Sequence, residues 1–274
     1  MGAMGPVTDA IVRRHVRAVF LSDIHLGTRG CQAELLLDFL RHHEADIIYL
    51  VGDIVDGWRL KRGWYWPQSH NDVVQKILRK GRKGAEIVYI PGNHDEFLRE
   101  YVDGNFGSIT VVDRHMHEGA DGRRYLLLHG DQFDVVVRHA RFLALLGDWA
   151  YDFALWINTY FNHARRRLGF PYWSLSAWAK LKVKNAVNFI GSFEKIVSDE
   201  ARESGADGVI CGHIHHAVIH NDYGVTYMNT GDWVESCTAI LENHDGSFEI
   251  VRWTETAATI AAREAARPRA LSAA

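Results

Sequence analysis

The sequence predicts an α/β protein with a mixed or two-sheet core, and three observations predict it. Short apolar runs ending at Gly, Asp or another polar residue recur along the chain. Helix-period patterns separate the first three runs, and after His215 the pattern changes to short strands bounded by turns. Apolar, β-branched runs that stop at turn formers read as buried strands. Strands that alternate with helices favour parallel pairing.

The first three runs are VRAVFLSD (16–23), DIIYLVGD (46–53) and EIVYIPGN (86–93). Helices are expected over Glu34–His43 and Asn71–Arg82, where apolar residues recur three and four apart. RYLLLHGD (124–131) and DGVICGH (207–213) supply two further strands. Val225–Asn229, Cys237–Glu242 and Ser247–Trp253, with Asp-Tyr-Gly and His-Asp-Gly turns, read as an antiparallel meander.

Between about 133 and 204 the strand signals vanish and long helices are expected as an insertion. From Phe133 to Val197 lie 14 of the chain's 31 aromatic residues, with nine basic side chains against four acidic ones. That local excess opposes the net charge of −3 on the whole chain. The domain is expected over 16–253. Residues 1–15, beginning MGAMG, read as a tag remnant and extension, and the Ala- and Arg-rich 254–274 as a flexible tail.

With 274 residues, 47% of them apolar and 24% charged, the chain is neither disordered nor fibrous. No global basic field points to nucleic acid. Three scattered cysteines, Cys31, Cys211 and Cys237, argue against a disulfide framework and for a reducing compartment. Cys211 reads as a core residue, and histidines 42, 43, 139, 163, 216, 220 and 244 as surface residues. The apolar stretch Phe142–Ile157 carries Asp148 and Asp152, each costing about 2.5–3.5 kcal/mol at a bilayer centre, so it should not span. The expected setting is the cytoplasm, with peripheral contact on the cytoplasmic face of the inner membrane.

Five strand ends carry metal-binding side chains: Asp23-Ile24-His25, Gly52-Asp53-Ile54-Val55-Asp56, Gly92-Asn93-His94-Asp95, His129-Gly130-Asp131 and Gly212-His213-Ile214-His215. Strand ends in α/β sheets collect ligands at a common edge. Residues two apart share a face of an extended chain, so Asp23 with His25, and His213 with His215, are expected to converge. Carboxylate, amide oxygen and imidazole together suit a divalent transition ion, manganese first, with iron or zinc as alternatives.

In order and spacing these blocks resemble the calcineurin-like metallophosphoesterases, whose pattern is DxH, GDxxD, GNHD/E, H and GHxH. The resemblance covers about residues 17–253 and implies two packed mixed β-sheets flanked by helices (α-β-β-α). It implies two divalent ions. Asp23, His25, Asp53 and His215 would hold one, Asp53 would bridge, and Asn93, His129 and His213 would complete the second. Such a pair clamps phosphoryl oxygens for in-line displacement. His94 would bind phosphate or protonate the leaving oxygen, with Asp56 orienting its ring. Asp95 and Asp131 would hold loops or ligand histidines in place.

The order LSDIHLG, GDIVDGW, PGNHDEFL, LLHGDQFD, helical insertion and GHIHH further resembles the UDP-2,3-diacylglucosamine diphosphatases. That likeness implies cleavage to UMP and 2,3-diacylglucosamine 1-phosphate, with the insertion as a lid for acyl chains. The partner would be an acylated nucleotide-sugar, and no nucleic acid is expected. Candidate substrate contacts are Asn93, His94, Asp134, Ser176, Lys180 and Lys184. His94 stands where that family carries Arg, which keeps open a paralogous phosphatase or phosphodiesterase acting on another lipid-linked or nucleotide phosphate. A scaffold without catalysis is the alternative of a different class.

Overall fold

Side-chain alternation along the central strands decides which core each residue joins. In β1 (Arg14–Leu21), β2 (His43–Val51) and β3 (Glu86–Ile90), residues Val19, Leu21, Ile48, Leu50, Ile87 and Tyr89 face one way. They pack with Leu36, Phe39 and Leu40 of helix α1 (Ala33–His42) and with Val73 and Ile77 of α3 (Gln68–Arg82). The intervening Ala18, Phe20, Tyr49, Val51, Val88 and Ile90 face a second sheet. There they meet Tyr125 and Leu127 of β7 (Arg124–Leu127), Ile210 of β8 (Gly208–Cys211) and Met228 of β10 (Thr226–Asn229). Burial on both faces is why these strands read as continuous apolar runs. Each buried Leu, Ile or Phe contributes about 1.5–3 kcal/mol.

The computed structural model describes residues 13–133 and 176–256, with side chains of 176–189 excluded. The chain divides into two compact units, residues 1–131 with 201–274, and residues 132–200. The first unit holds two mixed sheets with flanking helices. One has the order β12 (Phe248–Arg252), β11 (Thr238–Glu242), β1, β2, β3, β5 (Ile109–Val111), β4 (Asn105–Phe106). The other runs β6 (His115–Glu118), β7, β8, β10, β9 (Val218–His220). β1, β2, β3 and β5 pair in parallel, as do β7, β8 and β10. Parallel pairing brings their C-terminal ends to one edge of each sheet.

A short helix α2 (Gly57–Arg62) follows β2, and helix α4 (Ser176–Glu203) occupies the described part of the second unit and runs into the first. Among the described residues no helix is long and apolar enough to cross a membrane. Phe142–Ile157 lies outside them.

The structure corrects several expectations. The meander is split: β9 and β10 belong to the second sheet, whereas β11 and β12 form a hairpin on the first. Residues 230–237 carry the chain across. His43 is not at the surface. It is buried as the first residue of β2, stacked on Phe39 at 4.3 Å between ring centroids, with Nδ1 3.0 Å from the Phe39 carbonyl. α3 starts at Gln68, three residues before the expected Asn71, directly after Pro67, which stands at the N-cap position in extended backbone (φ −68°, ψ 163°). β1 starts at Arg14, inside the stretch assigned to the extension, and a helical turn forms at 253–256, whereas 257–274 lies outside the described residues.

Candidate metal centre

The loops after β1 and β2 continue the parallel pairing by backbone hydrogen bonds alone. Asp23 N donates to the Gly52 carbonyl (3.0 Å), His25 N to Asp53 O (2.9 Å) and Leu26 N to Ile54 O (2.9 Å). Within this ladder Asp23 (φ 49°), His25 (54°) and Asp53 (55°) are left-handed, as are His213 (72°) and His215 (55°) after β8. Asp23 and His25 therefore meet through left-handed backbone and not along an extended chain, whereas His213 and His215 do not converge as expected: His213 sides with Asp53 and His129, and His215 with Asp23 and His25. Left-handed backbone costs about 1–2 kcal/mol per non-glycine residue and marks sites held by their surroundings.

Two glycines make room for the centre. A Cβ on Gly52 (φ 80°) would lie 2.1 Å from His129 Nδ1, and one on Gly212 would lie 2.5 Å from Asp23 Oδ2. Only glycine lets these backbones approach the ligand side chains so closely.

Donor atoms gather into three overlapping groups, each with all atoms within 4.8 Å of one another: Asp23, His25 and His215; His25, Asp53 and His94; Asp53, His129 and His213. Asp53 Oδ2 is 3.4 Å from His129 Nε2, 3.9 Å from His94 Nε2 and 4.0 Å from His25 Nε2. His215 Nε2 is 3.1 Å from Asp23 Oδ1. Asp53 thus belongs to the second and third groups and reaches the first through His25, 4.0 Å away. The other carboxylate oxygens are anchored to backbone: His94 N donates to Asp53 Oδ1 (2.8 Å), and His213 N to Asp23 Oδ2 (2.9 Å). His129 Nδ1 faces the Val51 carbonyl at 2.9 Å, which leaves Nε2 turned inward.

Asp23 Oδ1, His25 Nε2, Asn93 Oδ1 and His129 Nε2 are buried without a hydrogen-bond partner. Buried polar atoms are ordinarily satisfied, because leaving one bare costs about 1–3 kcal/mol. Imidazole, amide and carboxylate donors that share this defect suit a divalent transition ion. The electrostatics agree. Burial disfavours a charged His129, yet the adjoining Asp53 and then Asp23 push its pKa up to about 10. Burial likewise works against charge on Asp23, yet His215 and His129 hold it well below the usual range. The pocket is a field built for positive charge.

His94 is set apart by Asp56. Asp56 Oδ2 lies 3.1 Å from His94 Nδ1 and 3.4 Å from His25 Nδ1, while Oδ1 accepts from Arg59 N (2.8 Å) and caps α2. Burial opposes a charged His94, but Asp56 and Asp53 raise its pKa above the ordinary value. The Trp58 ring packs against it, tilted by 37°, at 4.3 Å between ring centroids. Asp95 holds loops, as expected: it accepts from Gly92 N (2.6 Å), Ile54 N (2.8 Å) and Tyr89 OH (2.5 Å). Asp131 receives the Arg99 guanidinium at 2.7 and 2.8 Å.

Sequence reading missed three supports. Ser22 Oγ bonds Asp23 Oδ2 and meets Thr230 Oγ1 at 2.5 Å. Asn229 Nδ2 donates to Gly212 O at 2.7 Å and so fixes the His213 loop. Trp58 is the third, and its place two residues after Asp56 was the available signal. Of the expected substrate contacts, Asn93 and His94 are in the centre. Asp134 and the side chains of Ser176, Lys180 and Lys184 lie outside the described residues.

A family model for calcineurin-like phosphoesterases matches residues 16–217. A UDP-2,3-diacylglucosamine hydrolase of Aliivibrio fischeri is 24% identical over 85% of this chain and 96% of its own length. One from Neisseria meningitidis is 26% identical over 82% and 92%. Among solved structures, an archaeal phosphodiesterase aligns over 85% of this chain and 98% of its own, with 13% identity and a TM-score of 0.40.

Proposed function

The chain belongs to the calcineurin-like phosphoesterase family, and from that premise we propose that it hydrolyses the pyrophosphate of UDP-2,3-diacylglucosamine at a dinuclear centre, releasing UMP and 2,3-diacylglucosamine 1-phosphate. The coarser activity, metal-dependent hydrolysis of phosphate esters, follows from the family and the hydrolase-named relatives. The observation that carries the dinuclear reading is Asp53, a member of the group with His129 and His213 whose Oδ2 also lies 4.0 Å from His25 Nε2 in the other group. Asp23, His25 and His215 would hold one divalent ion with Asp53; His129, His213 and Asn93 would hold the other. Manganese is the proposed metal, with iron or zinc as alternatives. Bound there, the cations supply Lewis-acid charge that acidifies a water and neutralises phosphoryl oxygens.

The chain's own residues do the rest. His94 carries a proton whose affinity Asp56 raises, and its Nε2 faces the donor cluster. As water adds to phosphorus and the P–O bond breaks, His94 delivers that proton to the departing oxygen. Asp56 keeps the ring turned, and Trp58 packs its face.

The substrate rests on the names of relatives that cover most of the chain and on the aromatic, basic composition of 133–204. Asp134, Ser176, Lys180 and Lys184 are proposed contacts. A second reading has one observation in its favour. His94, set against Asp56, is a proton donor rather than the fixed anion clamp an Arg would be, which suits another lipid-linked or nucleotide phosphate. Manganese-loaded protein given UDP-2,3-diacylglucosamine should release UMP. Hydrolysis of bis(p-nitrophenyl) phosphate with no release of UMP would select the second reading.

A further inference from the structure

Immediately after the Asp53–Asp56 loop the chain reads GWRLKRGWYW over residues 57–66. Three of the nine tryptophans fall within nine residues, beside Arg59, Lys61 and Arg62 and without any acidic residue. The structure leaves this segment open. Trp58 is 41% exposed and Trp64 78%, and all three cations are exposed. Arg29, also exposed, lies over the Tyr65 ring at 4.6 Å from its centroid and adds a fourth positive charge. Among the described residues, none of these four cations takes part in an ion pair. Phe97, 41% exposed, closes on Gly57, where a Cβ would lie 3.0 Å from its Cε1.

Trp64 touches the fold through its stack on Trp66 (6.1 Å between ring centroids) and leaves most of its indole in solvent, and an exposed aromatic patch rimmed by charge marks an interaction surface. Indoles and tyrosines seat at the headgroup level of bilayers, and Lys or Arg beside them is drawn to anionic lipid. Nucleic acid also takes basic and aromatic surfaces, and binding to single-stranded RNA is the competing outcome of the test below. The geometry points to α2 and the loop through Trp66 as a docking surface for an anionic lipid bilayer. Because Trp58 packs against His94, docking would set that side of the candidate metal centre against the membrane. This surface requires no particular substrate, so it stands or falls apart from the proposed hydrolysis.

The test is sedimentation of the full, manganese-loaded chain with vesicles of phosphatidylcholine alone or mixed with phosphatidylglycerol. Partition should favour the anionic vesicles and weaken with salt. Each cation near the surface is worth about fivefold in partition. The triple variant Lys61→Ala, Arg62→Ala, Trp64→Ala should therefore bind at least about 25-fold more weakly while hydrolysing a soluble aryl phosphate as before. Should the triple variant lose that hydrolysis through misfolding, Trp64→Ser alone replaces it and should weaken binding several-fold. Equal partition onto both vesicle types, variant binding that matches the unmodified chain, or tight binding to single-stranded RNA without vesicle binding would each overturn the proposal.

Discussion

Two buried clusters of charged and polar groups lie in the first unit, and they are built on opposite terms. Between the sheets, Glu242 is fully buried and fully answered. Its Oε1 accepts from Arg17 Nη1 (2.6 Å) and Ala120 N (2.7 Å), and its Oε2 faces His117 Nε2 at 2.8 Å. His117 Nδ1 in turn meets the Tyr49 hydroxyl at 2.9 Å, and Arg17 Nη2 donates to the Glu118 carbonyl at 2.6 Å. At the metal centre, by contrast, His25, Asn93 and His129 keep buried inward atoms without partners. The first cluster closes on itself and clamps β1 and β11 to β6. The second is complete only with positive charge that the chain does not supply. Buried polarity is therefore structural where every atom is matched, and functional where the mismatch converges on one point.

The largest effect is expected at His94. His94→Ala should lower kcat by about 10²–10⁴-fold while leaving metal content and stability intact. The loss should shrink for nitrophenyl esters, whose leaving groups need no proton. An equal loss for good and poor leaving groups would remove the proton-donor role.

Next comes Glu242→Ala, which leaves Arg17 and His117 facing a buried void. It should destabilise the fold by about 3 kcal/mol, at the low end for a broken buried pair because Arg17 is partly exposed. Activity per metal-loaded molecule should hold. The pH dependence follows from the same contacts. Burial pushes the Glu242 carboxyl up, but His117, Ala120 N–H and Arg17 hold its pKa below the ordinary 4.5. Its contribution is therefore fully present above that value and is lost as pH falls through the lowered pKa. Denaturation followed from about pH 6 to about pH 3 should show Glu242→Gln losing less stability on acidification than the parent. Parallel losses in the two proteins would contradict the network.

The smallest effect belongs to Tyr49→Phe, which strips one hydrogen bond from His117. A cost of about 1–2 kcal/mol in chemical denaturation is expected, with no change in metal content.

Particular residues show what was legible in the sequence. VRAVFLSD, DIIYLVGD and EIVYIPGN announced their strands because both faces are buried, and the Gly and Asp at their ends announced the loops. β6, with the sequence HMHE, announced nothing. Its stability comes from His117 meeting Tyr49 and Glu242, residues 68 and 125 positions away, and no local pattern reports such partners. The split of the meander was hidden for the same reason, since Cys237–Glu242 reads alike on either sheet. The candidate ligands stood out in the sequence as residue types in order. How they converge did not, because left-handed backbone at Asp23, His25, Asp53, His213 and His215 is imposed by the surrounding hydrogen bonds.

In the proposed centre the Asp53 carboxylate joins two cation sites. Metal analysis of Asp53→Ala, purified without chelator beside the parent chain, reads this out. The parent should carry about two transition ions per chain, and the variant less than about one, because each site loses a ligand and the cations lose the charge between them. A variant that keeps the full complement, or a parent that never exceeds one ion, would contradict it.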